Sequence, residues 1–166
     1  MFQIDEFVIH PTGGICRIEK IDSLEISGAD QERKYYFLSQ VKGRGSRVFV
    51  PVDMGNDVIR RVITLAEANE LIDEIPSIGE ASIENDKIRE TKYKEAIKSC
   101  DCKELVSLLK NLYTRRSKRI SEGKRNTATD EKYCKIAEDN LYGELAFALG
   151  IDKSEVHDLL APKFDI

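Results

Sequence analysis

Short segments near the start of the chain alternate apolar and polar positions, as strands with one buried face do. The longest alternation runs over residues 15–26, and aromatic strand-forming residues cluster within 33–41. The short apolar segment 7–9 stops at the turn cluster 10–14, the segment 47–51 ends at proline, and 58–63 is a candidate fifth strand. Turn-forming residues separate the strands, at 10–14, 27–30 and 42–46. This pattern predicts a small, strongly bent antiparallel sheet or barrel.

From Thr64 onward the apolar residues recur with the period of a helix. Thr64 and Glu67 form a capping-box pattern at the start of the first helix, and the Pro and Gly of 75–79 interrupt it. Asp101 is a candidate cap for a later helix, and Gly150 a candidate helix end. Further helices are predicted at about 85–99, from 102, from 127 or 129 to 149, and at 152–160.

Together these patterns predict an α+β protein in which a β domain precedes an all-α helical bundle. We place the β domain at 1–63, a connecting helix and linker at 64–80, and the helical bundle at 81–166. The boundary follows the Pro and Gly residues at which the pattern of strands has given way to a pattern of helices.

The helix after Asp101 changes character along its length. Four leucines share one apolar face, at Leu105, Leu108, Leu109 and Leu112. One turn further, the same face carries Arg115, Arg116 and Arg119. Residues 110–125 hold seven Lys or Arg and one acidic residue, although the whole chain has a net charge of −4. Such a basic segment suits a phosphate backbone, but a solvated helix end, favoured by the helix dipole, explains it equally well.

Sequence motifs of catalysis and metal binding are missing. There is no P-loop, G-x-G-x-x-G, H-E-x-x-H or G-x-S-x-G pattern. His10 precedes Pro11, which is typical of a turn histidine, and His157 has no obvious partner. Only Cys100 and Cys102 are close in sequence, and neither histidine lies at a zinc-finger spacing from them. We therefore expect no enzyme, no metal and no cofactor.

The apolar segments also bear on location. None approaches the roughly 20 residues that cross a bilayer. The first residues lack the charged and apolar regions of a signal peptide. We expect a cytoplasmic protein without membrane contact.

Several short motifs, taken in order, resemble the CarD/CdnL family of bacterial transcription regulators. Residues 2–15 resemble the family's start, G-D-x-V-V-Y-P-x-H-G, and 48–51 resemble its V-x-V-P strand. Residues 98–101, 106–112 and 143–146 resemble parts of its helical half. The resemblance covers nearly all of the chain. It implies a Tudor-like β domain that binds the RNA polymerase β subunit and a helical domain that contacts promoter DNA.

The resemblance, combined with the basic segment, gives two sets of candidate contact residues. The polymerase set consists of Leu24, Ile26, Arg47 and Phe49. The DNA set consists of Lys87, Arg89, Arg115, Arg116, Lys118, Arg119, Lys124 and Arg125. Contacts of the second set would bind phosphates and position the protein without reading base sequence.

Two positions depart from the family pattern. Family members carry a tryptophan at the start of the first long helix of the helical domain, where this chain has Asp86. A β-domain strand that often carries Arg toward polymerase has Phe49 here. The first hypothesis is a monomeric, non-enzymatic regulator that binds polymerase and promoter DNA and modulates open-complex stability. The alternative, favoured by Asp86, is a polymerase-binding adaptor that does not bind DNA.

Overall fold

The chain folds into two compact units, Met1–Val62 and Ile63–Ile166. The structure, a computed structural model, describes residues 1–43 and 45–166. The turn predicted at 42–46 includes Arg44, which lies outside the described residues.

The first unit is an antiparallel sheet. Among the described residues it has five strands, in the spatial order β4-β3-β2-β1-β5. Their bounds are β1 Phe7–His10, β2 Gly14–Ser23, β3 Lys34–Gln40, β4 Arg47–Pro51 and β5 Arg60–Arg61. The predicted antiparallel sheet is therefore confirmed.

Alternation along the strands sends one set of side chains into the core of this unit. These buried residues are Val8, Cys16, Ile18, Tyr36, Leu38, Val50 and Ile59. The pairing of β2 with β3 shifts register between Ile18 and Lys20. Such a bulge bends the strand and increases its twist, in keeping with the predicted strongly bent sheet.

Two strand predictions were wrong at their ends. β2 ends at Ser23, so Leu24 and Ile26 lie in the loop that follows it. The predicted fifth strand, 58–63, is only two residues long, and its first residue, Val58, belongs to helix α1, Gly55–Val58. Gly55 is packed against the ring of Tyr36 so closely that a Cβ atom would lie 2.7 Å from a ring carbon. This tertiary contact, which local pattern does not reveal, holds the helical turn against the sheet.

The second unit is helical, which with the sheet confirms the α+β class. Its helices are α2 Leu65–Glu74, α3 Asp86–Ser99, α4 Cys102–Ser121, α5 Ala128–Leu149 and α6 Lys153–Leu160. Thr64 and Glu67 form the predicted capping box, and Asp101 accepts hydrogen bonds from the backbone N–H groups of Lys103 and Glu104. Gly150 ends α5 with a φ of 68°.

The four leucines of α4 are buried, and they pack in one core with residues of the other helices. Helix α2 contributes Ala68, Leu71 and Ile72 to that core. The second compact unit begins at Ile63, so residues 64–80 lie within it, and the apolar face of α2 is buried in its core.

His10, at the end of β1, organises the turn to β2. Its Nδ1 atom accepts hydrogen bonds from the backbone N–H groups of Thr12 (3.3 Å) and Gly13 (3.2 Å). Burial lowers the pKa of His10, because the charged imidazole loses hydration there. Protonation of Nδ1 would also replace this acceptor by a donor that faces two N–H groups.

We predict that His10 makes the stability of the first unit depend on pH. Because its pKa in the folded state lies below the unfolded value, its contribution is complete above the ordinary pKa of 6.5 and is lost as the pH falls from there through the folded value. NMR titration of the imidazole should give a folded pKa below 6.5. The His10→Gln variant assigns the signal, and a folded pKa at or above the ordinary value would contradict the prediction.

Candidate nucleic-acid and protein interfaces

Arg115 reaches from α4 to the first turns of two other helices. Its Nε donates to Oδ2 of Asp130 in α5 at 2.7 Å, and its Nη1 donates to Oδ1 of Asp86 in α3 at 3.2 Å. The side chain of Arg115 is 22% exposed and that of Asp130 only 3%. Arg115 therefore connects α3, α4 and α5, and its charge is largely shielded from water.

Arg89 and Tyr93, both on α3, extend the same set of contacts. The hydroxyl of Tyr93 donates to Oδ1 of Asp130 at 2.7 Å. Arg89 donates through Nη1 to the Tyr93 hydroxyl and to Asn111 Oδ1, both at 3.0 Å, and through Nε to Asp86 Oδ1 at 3.0 Å. We refer to these residues as the Arg–Asp network: Asp86, Arg89, Tyr93, Asn111, Arg115 and Asp130.

The charges of this network are set by its contacts. Burial on its own would raise the pKa of Asp130, but the hydrogen bonds from Arg115 and Tyr93 outweigh it and hold the pKa below its ordinary value. Burial raises the pKa of Tyr93 to about 12. The hydrogen bond from Arg89 and the charge of Arg115 lower the pKa of Asp86. At neutral pH the network therefore contains two guanidinium groups, two carboxylates and a neutral tyrosine.

Other predicted DNA-contacting residues are held by local contacts at the end of α4. The guanidinium of Arg116 lies over the ring of Tyr113, 5.2 Å from its centre. Arg119 Nε donates to the carbonyl of Arg125 at 2.9 Å, which fixes the loop between α4 and α5. Lys124 pairs with Glu122 at 3.3 Å in the same loop.

The remaining three predicted residues, Lys87, Lys118 and Arg125, have exposed side chains. Within residues 1–43 and 45–166, no side-chain hydrogen bond or ion pair engages them. The Asp86–Arg115 contact brings the start of α3 beside the last turns of α4, and the Arg119–Arg125 contact brings the loop there as well. The three exposed cations therefore gather at one end of the helical unit.

The polymerase set is divided by the structure. Arg47 and Phe49 lie together on β4, an edge strand that pairs only with β3 in the described residues. Phe49 is 39% exposed, and its ring contacts that of Phe37 edge-to-face, with 5.0 Å between centres. Leu24 and Ile26 do not join them on this strand, because both lie in the loop after β2.

Sequence reasoning missed the partners of the arginines. Asp130 falls four residues before Cys134 and seven before Ala137, on the apolar stripe of α5, and all three are buried. An acidic residue at a buried position needs a cation or a hydrogen-bond donor as its partner. The presence of Asp130 on this stripe was therefore the sequence signal for a buried arginine. Phe37 was also missed; Lys20 Nζ lies 4.3 Å from its ring centre.

Two findings limit other kinds of site. In the described part of the chain, no helix is long and apolar enough to cross a membrane. Among the same residues, no group of three or more His, Cys, Asp or Glu side chains could hold a metal ion.

Comparison with family models identifies both units. The CarD-like/TRCF RID domain model matches residues 2–63, and the CarD C-terminal domain model matches residues 74–161. Together they define a transcription factor that interacts with RNA polymerase. The chain belongs to the CarD/CdnL family, which confirms the resemblance of its motifs. A search of curated proteins found no match.

We predict that Asp130→Asn lowers the free energy of unfolding by about 3 kcal/mol, because Arg115 loses its buried counter-charge. The matched control is Asp139→Asn on the same helix, which removes one partner of an exposed pair with Lys153 and should cost about 0–1 kcal/mol. Urea unfolding followed by far-UV circular dichroism gives both values. Equal losses in the two variants would contradict the role assigned to the buried pair.

Proposed function

We propose that this protein binds the RNA polymerase β subunit through its first unit and promoter DNA through the cationic end of its second unit. Through these contacts it modulates the stability of the promoter open complex. The observation that carries the proposal is the pairing of two features in one family member. One is an edge strand with an exposed aromatic residue, Phe49, and the other is the gathering of Lys87, Lys118 and Arg125 at one helical end.

The polymerase contact is proposed to be made by β4. An edge strand presents backbone N–H and C=O groups to which a strand of another protein can add. Phe49 would supply apolar contact area beside those backbone groups, and Arg47 a charge for an acidic residue of the partner. Because strand addition depends on the backbone, it does not require an arginine at position 49.

The DNA contact is proposed to be electrostatic and independent of base sequence. Lys87, Lys118 and Arg125 are the first candidates for phosphate contacts, because their side chains are exposed and unpaired in the described residues. Arg116, Arg119 and Lys124 lie around them, with local contacts of their own. Arg89 and Arg115 are assigned first to holding the helices, since both are engaged in the Arg–Asp network.

Attachment to polymerase makes a weak DNA contact sufficient. The chain as a whole carries a net charge of −4, so its isolated affinity for DNA should be low. Binding to polymerase raises the effective concentration of the cationic end near the promoter. If that end contacts the melted state better than the closed one, the equilibrium shifts by the difference in contact free energy.

The second candidate function is a polymerase-binding adaptor that does not use DNA. The position of Asp86 favours it, because this carboxylate is exposed at the start of α3, beside the proposed phosphate contacts. A fixed negative charge at that place opposes the approach of phosphate.

We predict that Phe49→Ser weakens binding to an isolated polymerase β lobe at least tenfold, because the strand loses its exposed aromatic contact, worth about 1.4 kcal/mol or more. Leu159→Ser is the matched control, since Leu159 is a similarly exposed apolar residue on α6. Affinity is measured by pull-down and by calorimetry. Absence of binding by the unaltered protein would reject the β-subunit assignment, and equal affinities of the two variants would reject the β4 face.

A second prediction separates the two candidate functions. Replacing both Lys118 and Arg125 by Gln should shorten the lifetime of polymerase–promoter complexes and reduce its salt dependence, by about 0.9 in logarithmic slope for each phosphate that is no longer neutralised. The double change Lys98→Gln and Lys135→Gln removes the same charge from exposed positions elsewhere on α3 and α5. If both double variants match the unaltered protein in lifetime and slope, DNA is not contacted and the adaptor function stands.

A further inference from the structure

Asp86 is bound by two arginines at a single oxygen atom. Its Oδ1 accepts from Arg89 Nε at 3.0 Å and from Arg115 Nη1 at 3.2 Å. The arginine side chains are 13% and 22% exposed, whereas the Asp86 side chain is 73% exposed. Two largely buried cations thus converge on an anion at the surface, whose short side chain can turn away into water.

Both arginines have other partners that hold them in place. Arg89 is bound by the Tyr93 hydroxyl and by Asn111 Oδ1, and Arg115 is bound by the buried carboxylate of Asp130. Removal of the Asp86 carboxylate would therefore leave the guanidinium groups in position, with two N–H donors directed at one point. Preorganised donors of this kind bind an anion without the cost of ordering long side chains.

We propose that Arg89 and Arg115 form a binding site for a nucleic-acid phosphate, and that Asp86 occupies this site in the free protein as an internal competitor. The choice of phosphate as the ligand rests on the proposed DNA contact. The site itself rests on the convergence of the two guanidinium groups.

The surroundings fit a phosphodiester oxygen better than a free carboxylate of another protein. Lys87 follows Asp86 directly and Lys118 lies three residues beyond Arg115, so exposed cations flank the site on both helices. A chain of phosphates can bind the site and these cations together, and each neutralised phosphate releases counterions. Phosphate can bind only those molecules in which Asp86 has left the site. The apparent affinity is therefore the intrinsic affinity multiplied by the fraction of molecules in which the site is open.

The direct test uses inorganic phosphate, so that it does not depend on DNA binding. Phosphate is titrated into the full chain while NMR follows the Nε–H signals of Arg89 and Arg115. Asp86→Ala should bind phosphate about tenfold more tightly than the unaltered protein, with shifts at both arginines, because the competitor is gone. Glu84→Ala is the matched control, since it removes the same charge from an exposed residue two positions earlier.

The phosphate titration has outcomes on both sides. A tenfold increase in affinity in Asp86→Ala, together with no increase in Glu84→Ala, supports the site. Equal increases in both variants mean that only net charge matters, and no shift at either arginine means that the site does not bind phosphate; each result overturns the proposal. Asp86→Ser provides the same comparison with a polar side chain, if the alanine variant does not fold.

A second measurement links the site to the proposed function. Asp86→Ala should lengthen the lifetime of polymerase–promoter complexes and steepen its salt dependence relative to Glu84→Ala, by about 0.9 in logarithmic slope for each additional phosphate that is neutralised. If Asp86→Ala binds phosphate tightly but promoter complexes respond neither to it nor to the Lys118 and Arg125 changes, the DNA contact fails and the anion site stands. If the changes at Lys118 and Arg125 shorten the lifetime but Asp86→Ala does not bind phosphate, the DNA contact stands and the phosphate site at Arg89 and Arg115 fails.

Discussion

The buried pair of Arg115 and Asp130 is the interaction on which the helical unit depends. It joins the last turns of α4 to the first turn of α5, and the Tyr93 hydroxyl adds α3 to the same carboxylate. A carboxylate this inaccessible to water must be paired, because an uncompensated buried charge costs several kcal/mol. The pair and the Tyr93 hydroxyl therefore fix three helices with respect to each other, and the positions of the exposed cations follow from this arrangement.

This arrangement divides the roles of the basic residues. The arginines nearest the core are occupied in holding helices together, as the buried contacts of Arg89 and Arg115 show. The exposed residues, Lys118 among them, keep their charge available at the surface. In such a cationic end the buried contacts hold the helices rigidly, while the exposed cations remain solvated. A phosphate contact therefore requires little further ordering of the protein. Such a contact can remain weak, since attachment to polymerase supplies the local concentration.

Local signals in the sequence were enough for most of the fold. The helix caps at Thr64 and Asp101 act within one turn, and the helical spacing of the leucines in α4 predicts the buried face. The strand ends were less predictable, because the turn at Gly55 depends on the distant ring of Tyr36. The roles of the basic residues could not be told apart, because the partner of Arg115 lies on the next helix and sequence spacing along α4 does not show it.

Asp86 gives the proposed DNA contact a particular physical character. The family resemblance implies a tryptophan at this position, where an aromatic wedge would act by unstacking bases. In this chain the same position holds an acid that two arginines bind. A contact in which phosphate must displace that acid is electrostatic, so it weakens as salt rises and releases readily. The proposed regulator would thus depend more on its attachment to polymerase than a relative with an aromatic wedge, because Asp86 competes with DNA phosphate for the two arginines.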